Sequence, residues 1–393
     1  MAEAAPPALP LPRPSPTASA IAAPNPTEVC GSPDERHTAA DNAFGGRFPA
    51  GASASLAQTR TLMLASLRDS PDETQRALGL LLQTAVSPLA GISGNACPAD
   101  GCLAQAEAVM AAQSQALEQL VQQALVMRSA PVYAMALEAC RGPRNRPAGN
   151  SCALLSAEDW ARLDPGNAAP WLEVAARASK RGDRAALDDA MYRLARADSS
   201  RSVWGATLPL LAMKELPAQA PLLGRSMIAA QLAAVGPPPF LDGHAAVAHH
   251  CRASQAAPDA NQQQTCSAVA EMLLSKGRTL NDLRSALTLG EQAGWPAQRL
   301  AALHQEYRAM AQLRGSEHRR AIESGHFSCA TAQNNLAFID EVGRDGERAA
   351  LRRRAEQSGL TMAELAGRFE QAQRRARTAA SAPARGQNLQ AVR

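Results

Sequence analysis

Eight cysteines are the residues of this chain with the most chemistry to offer: Cys30, Cys97, Cys102, Cys140, Cys152, Cys251, Cys266 and Cys329. An even number suggests pairing, although eight thiols allow about 105 connectivities. Their neighbourhoods narrow the choice. Cys97 and Cys102 flank Pro-Ala-Asp-Gly, a turn sequence. Cys140 ends an apolar helical run (Val132–Cys140), and Cys152 opens the next segment across a loop rich in Pro, Gly, Asn and Arg. Cys251 and Cys266 bracket RASQAAPDANQQQT in the same way. A bridge across each loop fixes two helix ends together, stabilising the fold in chain-entropy terms by about 3 kcal/mol. Cys30 and Cys329 remain as a long-range pair. Two other readings stand beside this one. A zinc site lacks any C-x-x-C and a second pair near Cys97 and Cys102, and eight buried free thiols fit a reducing cytosol.

The other reactive side chains are less organised. The dense histidine cluster is His244-Ala-Ala-Val-Ala-His249-His250-Cys251. On a helix His244 and His249 lie about 140° apart, a poor arrangement for joint ligation, so no metal and no cofactor is expected. No Walker loop, G-x-S-x-G, H-E-x-x-H or dinucleotide fingerprint is present. Glu323-Ser-Gly-His-Phe327 resembles the sequence around the catalytic acid of lytic transglycosylases, which implies a peptidoglycan-cleaving alternative using Glu323. The Gly-rich, Met-Gln-containing motif of that family is missing downstream, where Cys329-Ala-Thr-Ala-Gln-Asn-Asn stands instead. A lone carboxylate also needs a shaped sugar cleft, and only 3% of the residues are aromatic.

The elements that must hold these residues are helices. Ala, Leu, Arg and Gln dominate the 393 residues, and no alternating β-branched run occurs. The expected fold is all-α: an array of antiparallel helical hairpins, repeat- or solenoid-like, behind a disordered Pro/Ala-rich arm. Start signals are clear at Ser70-Pro71-Asp72-Glu73 and at Thr361-Met-Ala-Glu364, both capping-box sequences. Helices are expected near 103–128, 242–252, 263–276, 280–293, 297–313, 329–342, 345–358 and 362–378. Pro237-Pro238-Pro239 cannot continue a helix and divides an N-terminal array, 51–236, from a C-terminal array, 240–378. Residues 1–50 and 379–393 are expected to be disordered.

Within this pattern Leu163–Ala197 is the most specific stretch. Pro165-Gly166-Asn167 stops one helix and starts another. Trp171, Val174, Ala175 and Ala178 form one apolar stripe, Gly182-Asp183 a turn, and Leu187, Ala190, Met191 and Leu194 a second stripe. The stretch resembles one unit of the tetratricopeptide repeat family, covering residues 164–197. It departs from that pattern at Ala178, where a large aromatic is usual, and at Leu187, where a small Ala is usual. The resemblance implies a helical-repeat scaffold and a protein-binding role, and implies no catalysis. Any antiparallel helical pair inside an all-α domain accounts for the same residues. Trp171, Glu173, Arg177 and Tyr192 lie on this unit, with Trp171 expected in the core.

Net charge is +4, yet eleven arginines and only five carboxylates fall in 344–393, so the remainder is slightly acidic. Arg352-Arg353-Arg354 and Arg374-Arg375-Ala-Arg377 are read as a solvated helix face paired with Glu347, Glu356 and Glu370. The segment has only Phe369 to stack on a base, so no nucleic-acid partner is expected. No window reaches the roughly eighteen apolar residues of a spanning helix. The best, Pro221–Val235, contains Arg225 and Gln231. Prolines at 6, 7, 10, 12, 14 and 16 spoil a signal-peptide core. Paired cysteines nevertheless argue for export, so an anchor or signal is expected upstream of Met1. The function expected is a non-catalytic scaffold or adaptor of a bacterial-type cell envelope, periplasmic or envelope-associated, binding a protein or peptide. Besides the transglycosylase, a cytosolic regulatory helical protein is the alternative.

Overall fold

A computed structural model describes residues 50–84, 99–141, 151–201, 241–256, 259–323 and 329–381, with scattered positions between 220 and 228. Among these residues the chain is all-helical and has no strand. The helices are α1 (Ala50–Arg68), α2 (Glu73–Thr84), α3 (Ala99–Met127), α4 (Ala130–Ala139), α5 (Ala157–Leu163), α6 (Ala168–Arg181) and α7 (Arg184–Ala195), with a short 3-10 turn, Ser151–Leu154, before α5. Then come α8 (Leu241–Ala256), α9 (Ala260–Lys276), α10 (Leu280–Gln292), α11 (Ala297–Glu323), α12 (Cys329–Asp345), α13 (Glu347–Gln357) and α14 (Met362–Ser381). Of the segments expected to be disordered, 1–49 and 382–393 lie outside the described residues, whereas Ala50 opens α1 and 379–381 continue α14 as helix.

Side-chain caps set many of these boundaries. Asn167 accepts from the Ala169 N–H at 3.2 Å to open α6, and Asp183 accepts from the Ala186 N–H at 3.0 Å to open α7. Between them Gly182 ends α6 at φ +69°, a left-handed conformation that glycine adopts without strain. Thr361 and Glu364 form the expected capping box at α14, with the Glu364 N–H donating to Thr361 Oγ1 at 3.2 Å and the Thr361 N–H to Glu364 Oε2 at 2.8 Å. At α2 the start signal is used differently. Asp72 caps the helix, accepting from the Thr74 N–H at 2.7 Å, while Ser70 Oγ takes the Asp72 N–H. The side chain of Ser70 turns to Gln75 and not to Glu73.

Many of the described helices pack on a neighbour in sequence, α2 on α1 and α3 and α10 on α9 and α11 among them, whereas the most extensive pairing joins α11 to α14. α6 lies against α5, α7 and α8, α9 against α7, α8 and α10, and α11 against α10, α13 and α14. α6 is consequently covered on nearly every side from Ala168 to Ala178. One buried apolar cluster runs from Met63 on α1 to Trp295 before α11, and so continues past Pro237-Pro238-Pro239. A second joins α10, α11, α13 and α14 through Leu280, Leu287, Met310, Leu351 and Leu365. Leu274, Leu300 and Leu303 touch both clusters.

Two close approaches hold this stack. Gly243 on α8 sits so near α6 that an added Cβ would meet the Leu172 carbonyl oxygen at 2.5 Å. Gly290 on α10 lies under the Trp295 ring, where a Cβ would come within 2.4 Å of it. The Trp295 indole N–H donates to Ser267 Oγ at 3.2 Å, and Arg299 covers its outer face 3.7 Å from the ring centre while paired to Glu271.

Candidate functional site

The cysteines fall as two loop-closing bridges. Cys140–Cys152 and Cys251–Cys266 are joined, with Cα atoms 5.7 and 5.9 Å apart, and no described cysteine is free. The first ties the end of α4 to the 3-10 turn, and the second ties α8 to α9. The pairings expected for Cys97 with Cys102 and for Cys30 with Cys329 lie outside the described residues, since neither Cys30 nor Cys97 is described and only the backbone of Cys102 and Cys329 is. Two bridges of this kind fit an oxidising compartment.

Beside the first bridge lies an ion pair whose carboxylate is buried and whose guanidinium is partly so. Arg141, directly after Cys140, places Nη2 2.8 Å from Glu173 Oε2 on α6. Burial pushes the Glu173 carboxyl above its ordinary range, against the opposing pull of Arg141 and Arg177. Burial likewise lowers the Arg141 guanidinium, although Glu173 and Glu138 oppose it. Desolvation therefore outweighs attraction on both partners, as for many buried pairs. Arg177 turns outward to Glu158 at 3.6 Å, and Lys180 reaches Asp242 on α8 at 2.7 Å.

The opposite edge of the same hairpin carries exposed aromatic and guanidinium groups. Trp171, expected in the core, is only partly buried: its indole N–H donates to the Pro165 carbonyl at 2.9 Å, and Arg193 lies 5.6 Å from its ring centre. The reason is the helical wheel. Leu172, Val174, Ala175 and Ala178 already fill the inward faces of α6, leaving Trp171 as a seal against the loop before it. On α7, Leu187, Ala190, Met191 and Leu194 point inward. Tyr192, Arg196, Asp189 and Arg193 then share an outer face spanning about 100°. Tyr192 is 52% exposed, with Arg196 5.4 Å from its ring centre. The result is two ring–guanidinium pairs, Trp171–Arg193 and Tyr192–Arg196, along one edge, with Arg193 also 3.5 Å from Asp189. Sequence reasoning placed Trp171 and Tyr192 on this unit but missed both arginines; the i, i+4 spacing of Tyr192 and Arg196 was the available signal.

The histidines do not converge. His249 is exposed, whereas His244 and His250 are buried and face different helices. His250 Nε2 lies 3.3 Å from Asp188 on α7, and burial lowers its pKa against the pull of that carboxylate. His244 Nε2 lies 3.5 Å from Asp282 Oδ1 on α10, and the Ser200 hydroxyl donates to the same oxygen at 3.4 Å. The other Asp282 oxygen accepts from the Arg278 and Thr279 N–H groups, each at 3.0 Å, as part of the α10 cap. Serine and histidine thus converge on the aspartate, and not on each other, so this buried group tethers α8 and α10 and offers no relay to a nucleophile. Among the described residues no three His, Cys, Asp or Glu side chains are grouped to hold a metal.

Glu323 is the last residue of α11, which runs ten residues beyond the expected end at 313. Its side chain lies outside the described residues, as does all of His326. The arginines of the C-terminal segment pair with carboxylates, though mostly not those expected. Arg352 reaches Glu306 at 2.6 Å and Arg353 reaches Asp345 at 2.6 Å, while Arg354 covers Phe338. Glu347 takes Arg314 at 3.2 Å, and Glu370 pairs with Arg374 at 3.7 Å and with Arg308 at 2.6 Å. Burial alone would raise the Glu306 carboxyl, but Arg348 and Arg352 together hold it below the usual range. Among the described residues no helix is long and apolar enough to cross a membrane. Comparison with protein-family models, with curated proteins and with solved structures returns no match.

Proposed function

We propose that this chain is a non-catalytic helical-repeat scaffold or adaptor of a bacterial-type cell envelope, and that it binds a protein or peptide partner. The observation that carries the reading is the exposed face of Tyr192, Arg193 and Arg196, with the partly buried Trp171 at its edge. Tryptophan, tyrosine and arginine are the residue types that dominate interface energetics, and here they are held in register on two packed helices. Rigid mounting of this kind lowers the entropic cost of binding. The antiparallel packing of α6 on α7 and of α9 on α10, with α8 laid against both α6 and α10, supports a stacked-hairpin arrangement, with Leu163–Ala197 as its tetratricopeptide-like unit. The two loop-closing bridges support a periplasmic or envelope address.

Capture of partners from the cells of origin by the full-length chain tests the reading. Protein bound by the wild type is expected to be lost with Tyr192→Ala/Arg196→Ala, a change at exposed positions that leaves stability within about 0.5 kcal/mol. Undiminished capture by the double variant rules this face out as the binding site.

A further inference from the structure

The two disulfides differ in one respect that bears on chemistry. Cys251 and Cys266 are 0% and 1% exposed and belong to the core shared by α8 and α9. Cys140 and Cys152 are only partly buried, at the margin of that same core. Thiol–disulfide exchange needs a thiolate to approach one sulfur directly, so access decides which bond reacts. We propose that Cys140–Cys152 is a site of reversible thiol–disulfide exchange with a dithiol reductant, and that Cys251–Cys266 is the permanent staple of the fold.

The chemistry balances without any other reactant. A thiolate of the dithiol attacks one sulfur of the pair, the protein S–S bond breaks, and the displaced cysteine leaves as a thiolate that takes up a proton. The second thiol of the reductant then attacks the mixed disulfide, closes its own ring or bridge, and releases the other cysteine. The protein gains two electrons and two protons, and the dithiol becomes a disulfide.

The surroundings of Cys140 give this exchange a structural consequence. Cys140 caps α4, with its N–H on the Ala136 carbonyl at 3.0 Å, and Arg141 follows immediately. The bridge holds that chain end against the 3-10 turn leading into α5, and so keeps Arg141 within reach of Glu173. Once the bridge opens, the covalent hold beside Arg141 is gone, and burial works against both members of its ion pair with Glu173 on α6. Reduction therefore loosens the seam between α4, α5 and α6. The α8–α9 seam stays closed behind its buried bridge. This inference is independent of which partner the exposed Tyr192 face binds.

Stepwise reduction of the native full-length chain with dithiothreitol tests it. Free thiols are alkylated under native conditions, the chain is unfolded and fully reduced, and a second isotopic label marks the sulfurs that had stayed protected. Cys140 and Cys152 are expected to label at least about ten-fold faster than Cys251 and Cys266, because the latter need a sub-global opening. The helical circular dichroism spectrum is expected to persist, and oxidised glutathione to restore the bond. Equal labelling rates, or earlier labelling of Cys251 and Cys266, overturn the proposal. A Cys140→Ser/Cys152→Ser variant supplies a second reading. It is expected to stay folded and to lose hydrogen-exchange protection only in 130–163. A variant that fails to fold shows the bridge to be an obligatory staple, and the exchange role is then wrong.

Discussion

The contact between α6 and α8 rests on a missing side chain, and replacing it is a sharp test of the packing. In Gly243→Ala the new methyl group would lie 2.5 Å from the Leu172 carbonyl oxygen and 2.8 Å from both its carbonyl carbon and its Cβ. Two of these atoms are backbone inside α6, which is enclosed by its neighbours and cannot yield by a rotamer change. The helices must separate, and overpacking of this kind costs about 3 kcal/mol at the upper end of its usual range. Alanine recovers about 1 kcal/mol through its better helix propensity, which leaves a net loss of about 2 kcal/mol. Gly367 on α14 supplies the control, since a Cβ there meets nothing within 4 Å. Gly367→Ala is therefore expected to gain about 1 kcal/mol from the same propensity difference alone. Urea unfolding followed by far-ultraviolet circular dichroism reads both variants against the wild type. If Gly243→Ala proves as stable as Gly367→Ala, the α6–α8 approach described here is wrong.

Two further outcomes follow from buried charges. Burial depresses the His250 pKa in the folded chain, so its contribution to stability is complete above the unfolded value of about 6.5 and declines as pH falls through and below it. The urea midpoint of the wild type should drop more steeply than that of His250→Gln on acidification across this window, and parallel slopes would remove the effect. Arg141→Met leaves Glu173 to the weaker pull of Arg177 and is expected to cost about 2 kcal/mol, below the range for a fully uncompensated buried charge, whereas Arg141→Met/Glu173→Leu should recover most of that loss. A double variant no more stable than the single one, measured by the same urea titration, shows that the pair is not desolvated as described.

What could be read from the sequence was local. The capping box Thr361–Glu364, the Gly182-Asp183 turn and the loop-bridging cysteines each involve residues a few positions or one loop apart, where hydrogen-bond geometry and chain reach leave few choices. Associations between distant segments were not legible. Arg352 prefers Glu306, forty-six positions earlier, because α13 packs across α11 and brings the two together. His244 and Asp282 meet because α8 packs on α10, and Ser200 joins them from the segment after α7, which no spacing rule foretells. Gly243 lies inside a helix, where glycine costs stability, yet its absent side chain is what admits α6. Trp171 packs against the core as expected but at its margin, partly buried, for a related reason. An apolar stripe identifies a face, but only the neighbouring helices decide which edge of that face is left open to solvent.

The most direct measurement is disulfide mapping of the protein alkylated inside intact cells before lysis. Peptides containing Cys251 and Cys266 are predicted to be recovered joined to each other, as oxidised staples at an α8–α9 joint require. Free, alkylated thiols at both positions, or a Cys251 joined to any cysteine other than Cys266, would contradict the architecture and the oxidising address together.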